Sequence, residues 1–260
     1  MKATLIGLLV AMLGSVVGGL TKGVNPVVLI TNVPAILIVI VGGLGATMAS
    51  FDMKATSGAV KAIMIAIFPK PLPPADETLK TLVEFANKAR REGLLSLESE
   101  MSDLEDQFMK KSLQLAIDGN DPEDVADVMR TEIKSMKARH KVGAEWCMTF
   151  GIFAPTFGII GAVMGLIATL AKLDDPSKLG AGISAAFVAT FWGVYLANGI
   201  FLPLANKLKA ASADEVMLRE MVMEGVLAIQ RGQSPRVIEE TLLTYLPPAV
   251  AAEMREDQDA

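Results

Sequence analysis

Residues 154–170 read APTFGIIGAVMGLIATL, a run without charge that has a proline at its second position and spaces Gly158, Gly161 and Gly165 through an otherwise apolar stretch. About 20 apolar residues in a helix cross the hydrocarbon of a bilayer. Apolar burial drives little association between helices in lipid, so close backbone approach over small residues takes its place. The run is therefore read as part of a transmembrane helix, with glycines that seat it against another.

The rest of the chain supports a membrane setting. It has 260 residues, 52% hydrophobic and only 20% charged, with a mean hydropathy of +0.43, too apolar for an ordinary soluble domain. Four segments lack Asp, Glu, Lys and Arg altogether: 3–21, 23–51, 146–171 and 179–206. Spans are expected near 3–21, 33–51, 150–171 and 182–205, the second opening at Asn32-Val33-Pro34 with proline in the first turn. The fold expected is all-α, a polytopic membrane protein with four transmembrane helices and a large helical cytoplasmic segment. Its divisions are 1–51 for the first two spans, 52–145 for the cytoplasmic segment, 146–206 for the other two spans and 207–260 for a cytoplasmic tail. The first span could pass for a signal peptide, but Gly7, Ala11, Gly14 and Gly18 form one small-residue face, which favours a retained helix.

Orientation follows from Lys and Arg beside the spans. Lys2, Lys54, Lys61, Lys137, Arg139, Lys141, Lys207 and Lys209 flank one side, against Lys22, Lys172 and Lys178 on the other, so the positive-inside rule places both termini in the cytoplasm. The outside loops, Lys22–Asn32 and Lys172–Gly180, are short. In the cytoplasmic segment a proline-rich turn precedes a helix with Asp76 as its expected cap and Leu79, Leu82, Val83 and Ala86 on one face. Asp121-Pro122-Glu123 reads as the start of another helix, and Asp214 to Arg231 as a third.

Several chemistries find no support. The net charge of -5 and the lack of a basic, aromatic patch argue against nucleic acid. Cys147 is the only cysteine, which excludes an internal disulfide or a cysteine metal cluster, and the only histidine, His140, lies in the basic run KARHKVG. No catalytic set, cofactor loop or metal-ligand motif stands out, so neither an enzyme nor a metal site is expected. All four spans also lack a carboxylate or base. Proton and cation pathways keep such groups at membrane depth, so a partner would have to bring one. Ala186, Thr190, Gly193 and Ala197 share a face directed toward the Gly158, Ala162, Gly165 and Thr169 face of the third span, and the two faces could hold a foreign helix.

Four motifs make the reading specific: FAPTFGIIGAVMGLIATL, GISAAFVATFWGVYLANGIFLPLANKL, ARREGLLSLE and EGVLAIQRGQSPRVIEETLLTYLPP. In order and spacing they resemble the MotA/PomA family of flagellar motor stator proteins, related to the ExbB/TolQ proton channels. The resemblance implies a subunit of the bacterial inner membrane, five copies of which surround the single-span helices of MotB, whose aspartate accepts the ion. It implies coupling roles for Pro155 and Pro203, and contact of Arg90, Arg91 and Glu98 with the rotor protein FliG. Sodium-type relatives have threonine where this chain has Ala162, while Thr190 is kept, so a proton is the expected ion, with Thr190 near the partner carboxylate. Gly158, Gly161, Gly165 and Gly193 are the expected packing glycines. The alternative is an ExbB/TolQ-like subunit energising outer-membrane processes, although that class usually has three spans. A secondary transporter would need polar or broken helices at membrane depth, where little beyond Thr190 and Asn198 is on offer.

Overall fold

The structure is a computed structural model that describes residues 2–69, 71–102, 104–171 and 176–259. All regular structure among these residues is helical. Part of the loop expected at Lys172–Gly180, with Lys172 itself, lies outside the described residues. The chain forms two compact units, one from residues 1–70 and 139–210, the other from 71–138 and 211–260.

The first unit contains α1 (Lys2–Thr21), α2 (Pro26–Thr31), α3 (Val33–Ala49) and α4 (Met53–Ile67). It also takes the later part of α7 (Pro122–Leu170), all of α8 (Pro176–Tyr195) and the start of α9 (Leu202–Gln230). Asn32 starts α3 as expected: its side-chain oxygen accepts from the N–H of Ala35 at 3.3 Å. The same side chain donates from its amide to the carbonyl of Ala185 at 3.0 Å, and the indole of Trp192 donates to the carbonyl of Leu29 at 2.7 Å. Two polar side chains thereby tie α8 to the segment around α2 and α3. Near the other end of the spans Trp146, Phe150 and Phe201 form an aromatic cluster, with 4.1 Å between the centroids of Phe150 and Phe201.

Among the described residues three helices are long and apolar enough to cross a membrane: α1, α7 and the helical run from Leu179 to Gln230; α3 is apolar but has 17 residues. The sequence divides the second and third of these differently. Hydropathy separates the third span from the helix before it at the run KARHKVG, yet α7 continues through that run for 49 residues in all. Nothing there breaks a backbone ladder, and Lys141 pairs with Glu145 one turn on at 3.5 Å. The fourth span likewise continues into α9 past its expected end. Between α8 and α9 the residues Leu196–Phe201 adopt a π-helix. Pro203 follows its end after one intervening residue and has no N–H to offer the carbonyl of Gly199. The side-chain amide of Asn198 donates to the carbonyl of Val194 at 3.1 Å, where the ladder changes register.

The second unit contains α5 (Ala75–Glu92), a 3-10 helix (Leu94–Ser102), α6 (Gln107–Ile117), the first part of α7, most of α9, α10 (Pro235–Leu243) and α11 (Pro248–Asp259). Leu79, Leu82, Leu97, Leu113, Met129, Met221, Ile238 and Leu242 are fully buried in one core, each contributing about 1.5–3 kcal/mol by leaving water. Asp76 is not the cap of α5. Pro74 holds that position without a side-chain bond, and Asp76 lies in the first turn, where its charge complements the helix dipole. Where α5 meets α9, a Cβ built on Gly225 would lie 2.8 Å from Cδ1 of Leu82, so the Leu82 side chain packs directly over this glycine.

Candidate coupling site at the α7 and α8 crossing

Pro155 sits inside α7, where it withdraws one N–H from the ladder and leaves the carbonyl of Gly151 without its usual donor. The crossing with α8 is built around this point. A Cβ on Gly193 would come within 2.6 Å of the carbonyl oxygen of Ala154 and 3.1 Å of the Pro155 Cα. One on Gly158 would lie 2.9 Å from the carbonyl oxygen of Ala189 and 3.3 Å from the Thr190 Cα. Higher up, Gly161 would meet the Cβ of Ala189 at 2.8 Å and Gly165 that of Ala186 at 3.1 Å. The four packing glycines thus lie along one seam. The two small-residue faces close on each other, leaving no room between them for a foreign helix. Leu202 seats against Gly151, where an added Cβ would come within 2.9 Å of it.

A cleft of about 550 Å³ lies on another side of α8, lined by Ala11 and Ser15 of α1 and by Phe187, Thr190, Phe191, Val194, Tyr195, Asn198 and Gly199. Its polar groups are hydroxyls and one amide, and it has no carboxylate, lysine, arginine or histidine. Of the residues expected on the ion path and in coupling, Thr190 alone lines it. Ala162 is half-buried, Pro155 is in the seam and Pro203 is exposed just past the π-helix. Asn198 was legible as a polar group at membrane depth, whereas Ser15 and Tyr195 were not, because a single hydroxyl in an apolar run carries no periodic signal. The run NGIFLP, with Pro203 after Gly199, was the available sign of the π-helix.

In the second unit Arg90 and Arg91 occupy the last turn of α5 and Glu98 lies in the 3-10 helix, all three exposed. Gly93, at φ +85°, reverses the chain between them, a conformation open to glycine at little cost. Lys88 pairs with Glu100 across the same turn. Leu95, 70% exposed, stands beside these charges, an apolar side chain that the charge pattern of the segment does not reveal.

The model of the MotA/TolQ/ExbB proton channel family matches residues 100–221. Motility protein A of Bacillus subtilis (strain 168) is 42% identical over 246 residues, covering 95% of this chain and 91% of the relative. This chain belongs to the motility protein A family. Chemotaxis protein PomA of Vibrio alginolyticus is 36% identical over 248 residues, covering 94% of each chain. Among solved structures, the flagellar MotAB stator complex from Bacillus subtilis matches with a TM-score of 0.92 at 40% identity, over 98% of this chain and 99% of that one. C. jejuni MotAB matches at 0.90 and 33% identity, over 95% and 96%. For a member of the motility protein A family, the apolar exposed faces of α1, α3 and α7 are the surfaces of a membrane-embedded protein.

Proposed function

We propose that the chain is the channel-and-torque subunit of a flagellar stator, conducting protons only together with a MotB-type single-span partner. The observation that carries this reading is chemical. The charge-free segments contain no Asp, Glu, Lys, Arg or His, yet a cleft along α8 offers Ser15, Thr190, Tyr195 and Asn198. Hydroxyls and an amide can pass a proton along hydrogen bonds or order water, but they cannot hold the charge; a partner carboxylate would. A sodium ion asks for several oxygen ligands in place of its water, and Ala162 supplies none. The relatives matched along nearly the whole chain are motility proteins, and one of the matched structures is a flagellar MotAB stator complex, which favours the motor over an ExbB/TolQ-like role in outer-membrane processes.

In this reading α1, α3, the later part of α7 and α8 are the four spans, in the bacterial inner membrane with both termini cytoplasmic. The second unit then faces the cytoplasm, and Arg90, Arg91 and Glu98 meet FliG. Pro155 and Pro203 mark weak points in the helix ladders through which ion passage becomes movement, and a ring of five copies encloses the partner helices. The chain acts as an ion channel rather than an enzyme.

The test is swimming speed and ion flux together. Speed should be insensitive to external sodium and fall when a protonophore collapses the proton gradient; vesicles with this chain alone should be silent and those with its partner should conduct. Equal flux without the partner, or speed that rises with sodium and survives the protonophore, overturns the reading.

A further inference from the structure

We infer that α4 lies along the membrane surface and binds anionic phospholipid headgroups, an assignment that rests on the membrane reading above. The helix follows α3 after a three-residue link, with Asp52 as its cap accepting from the N–H of Ala55 at 2.5 Å. One face packs inward through Ala59 and Ala66, both almost fully buried. At Ala62 a Cβ built on Gly143 of α7 would stand 2.6 Å away, so α4 is held tightly against the span unit.

The opposite face is apolar and uncovered. Met53 is 72% exposed, Val60 67% and Met64 53%; at helical spacing these make one stripe, which Phe68 extends past the helix end. Next to the stripe stand Lys54 and Lys61, both exposed and on one face two turns apart, with no ion-pair partner among the described residues. Asp52, the one carboxylate in residues 50–69, is engaged at the cap.

An uncovered apolar stripe edged by lysines fits one occupant well, the boundary between acyl chains and headgroups. Continuity supports it: the exposed apolar side of α3, with Leu37, Val41 and Met48, leads through the short link onto Met53. Lysine stems can lie along the acyl boundary while their ammonium groups reach phosphate. Arg139, Lys141, Lys207 and Lys209 add positive charge to the same unit, which selects anionic over zwitterionic lipid.

The test uses the full chain in bilayers of phosphatidylcholine with phosphatidylglycerol, with a fluorophore at Val60→Cys or, as a span control, at Ile159→Cys. Both labels should be quenched by spin-labelled acyl chains and spared by aqueous iodide. An iodide-quenched Val60 label with a lipid-quenched Ile159 label overturns the placement of α4 alone; iodide quenching of both overturns the membrane reading with it. For the headgroups, phosphatidylglycerol enrichment among co-purified lipids is measured by mass spectrometry. Lys54→Gln with Lys61→Gln should lower it by about fivefold for each lysine lost, and Lys54→Arg with Lys61→Arg should preserve it. Enrichment unchanged in the glutamine variant, or lost equally in the arginine variant, overturns the headgroup assignment.

Discussion

The seam between α7 and α8 and the core of the second unit are both helix on helix, yet they are filled with opposite materials. The seam is lined with Gly158, Gly161, Gly165, Gly193, Ala186 and Ala189, while the other core holds Leu79, Leu82, Leu113, Met129, Met221, Ile238 and Leu242. The exposed surfaces are reversed too: α7 presents Ile152, Ile159, Val163 and Ile167 outward, whereas α5 presents Glu84, Arg90 and Arg91. In water, large apolar side chains drive packing by leaving solvent. In lipid they gain little by meeting each other, and helices associate where small residues let backbones touch. Each unit bears the mark of its solvent.

The comparison breaks most readily at Gly193. Leucine there would have to displace the backbone of Ala154 and Pro155, so Gly193→Leu should abolish motility and, if the proposed ring of copies depends on the seam, disperse it on size-exclusion chromatography. Normal oligomer and swimming would show that the seam tolerates bulk and that the distinction fails. Gly165→Leu should act in the same direction with a smaller effect, since its nearest contact is looser.

The reverse experiment belongs in the other core, where removing bulk should be costly. Leu82→Ala and Leu242→Ala should each destabilise the protein by about 2–5 kcal/mol through lost burial and the cavity left behind, measured as a lowered unfolding midpoint. A loss below about 1 kcal/mol at both sites would mean that this core collapses around the gap.

Charge on the surface of the second unit should matter to the partner and little to stability. Arg90→Glu should reduce torque while leaving the unfolding midpoint and membrane insertion unchanged, and a complementary reversal on FliG should restore part of the speed. Unchanged swimming would make Arg90 a solvated side chain only. Smallest of all is Glu100→Gln, which removes the partner of Lys88. Being partly exposed, this pair should be worth at most about 1 kcal/mol, read as a slight drop in unfolding midpoint.

How much was legible in the chain depended on the kind of signal. The apolar runs, the start of α3 at Asn32 and the buried face of α5 could be read directly, because hydropathy, capping and helical period act over a few residues. The continuity of α7 could not, since a charged run looks like a boundary to hydropathy but is no obstacle to a helix. The cleft was also hidden: it joins Ser15 to Tyr195 and Asn198, residues far apart in the chain with nothing local to relate them.

By itself the sequence determined that the protein is helical, that it carries apolar segments free of any charged residue and that its glycines fall on one face of the third span. These are properties of composition and period, and they hold before any helix meets another. Only the tertiary structure decided what that glycine face touches, where the π-helix opens after Tyr195 and which hydroxyls share a cleft. It also decided that α4 packs through Ala59, Ala62 and Ala66, leaving Met53, Val60 and Met64 outward. Such outcomes follow from which surfaces come within contact distance, and the period of a single helix says only which residues share a face, never what that face will meet.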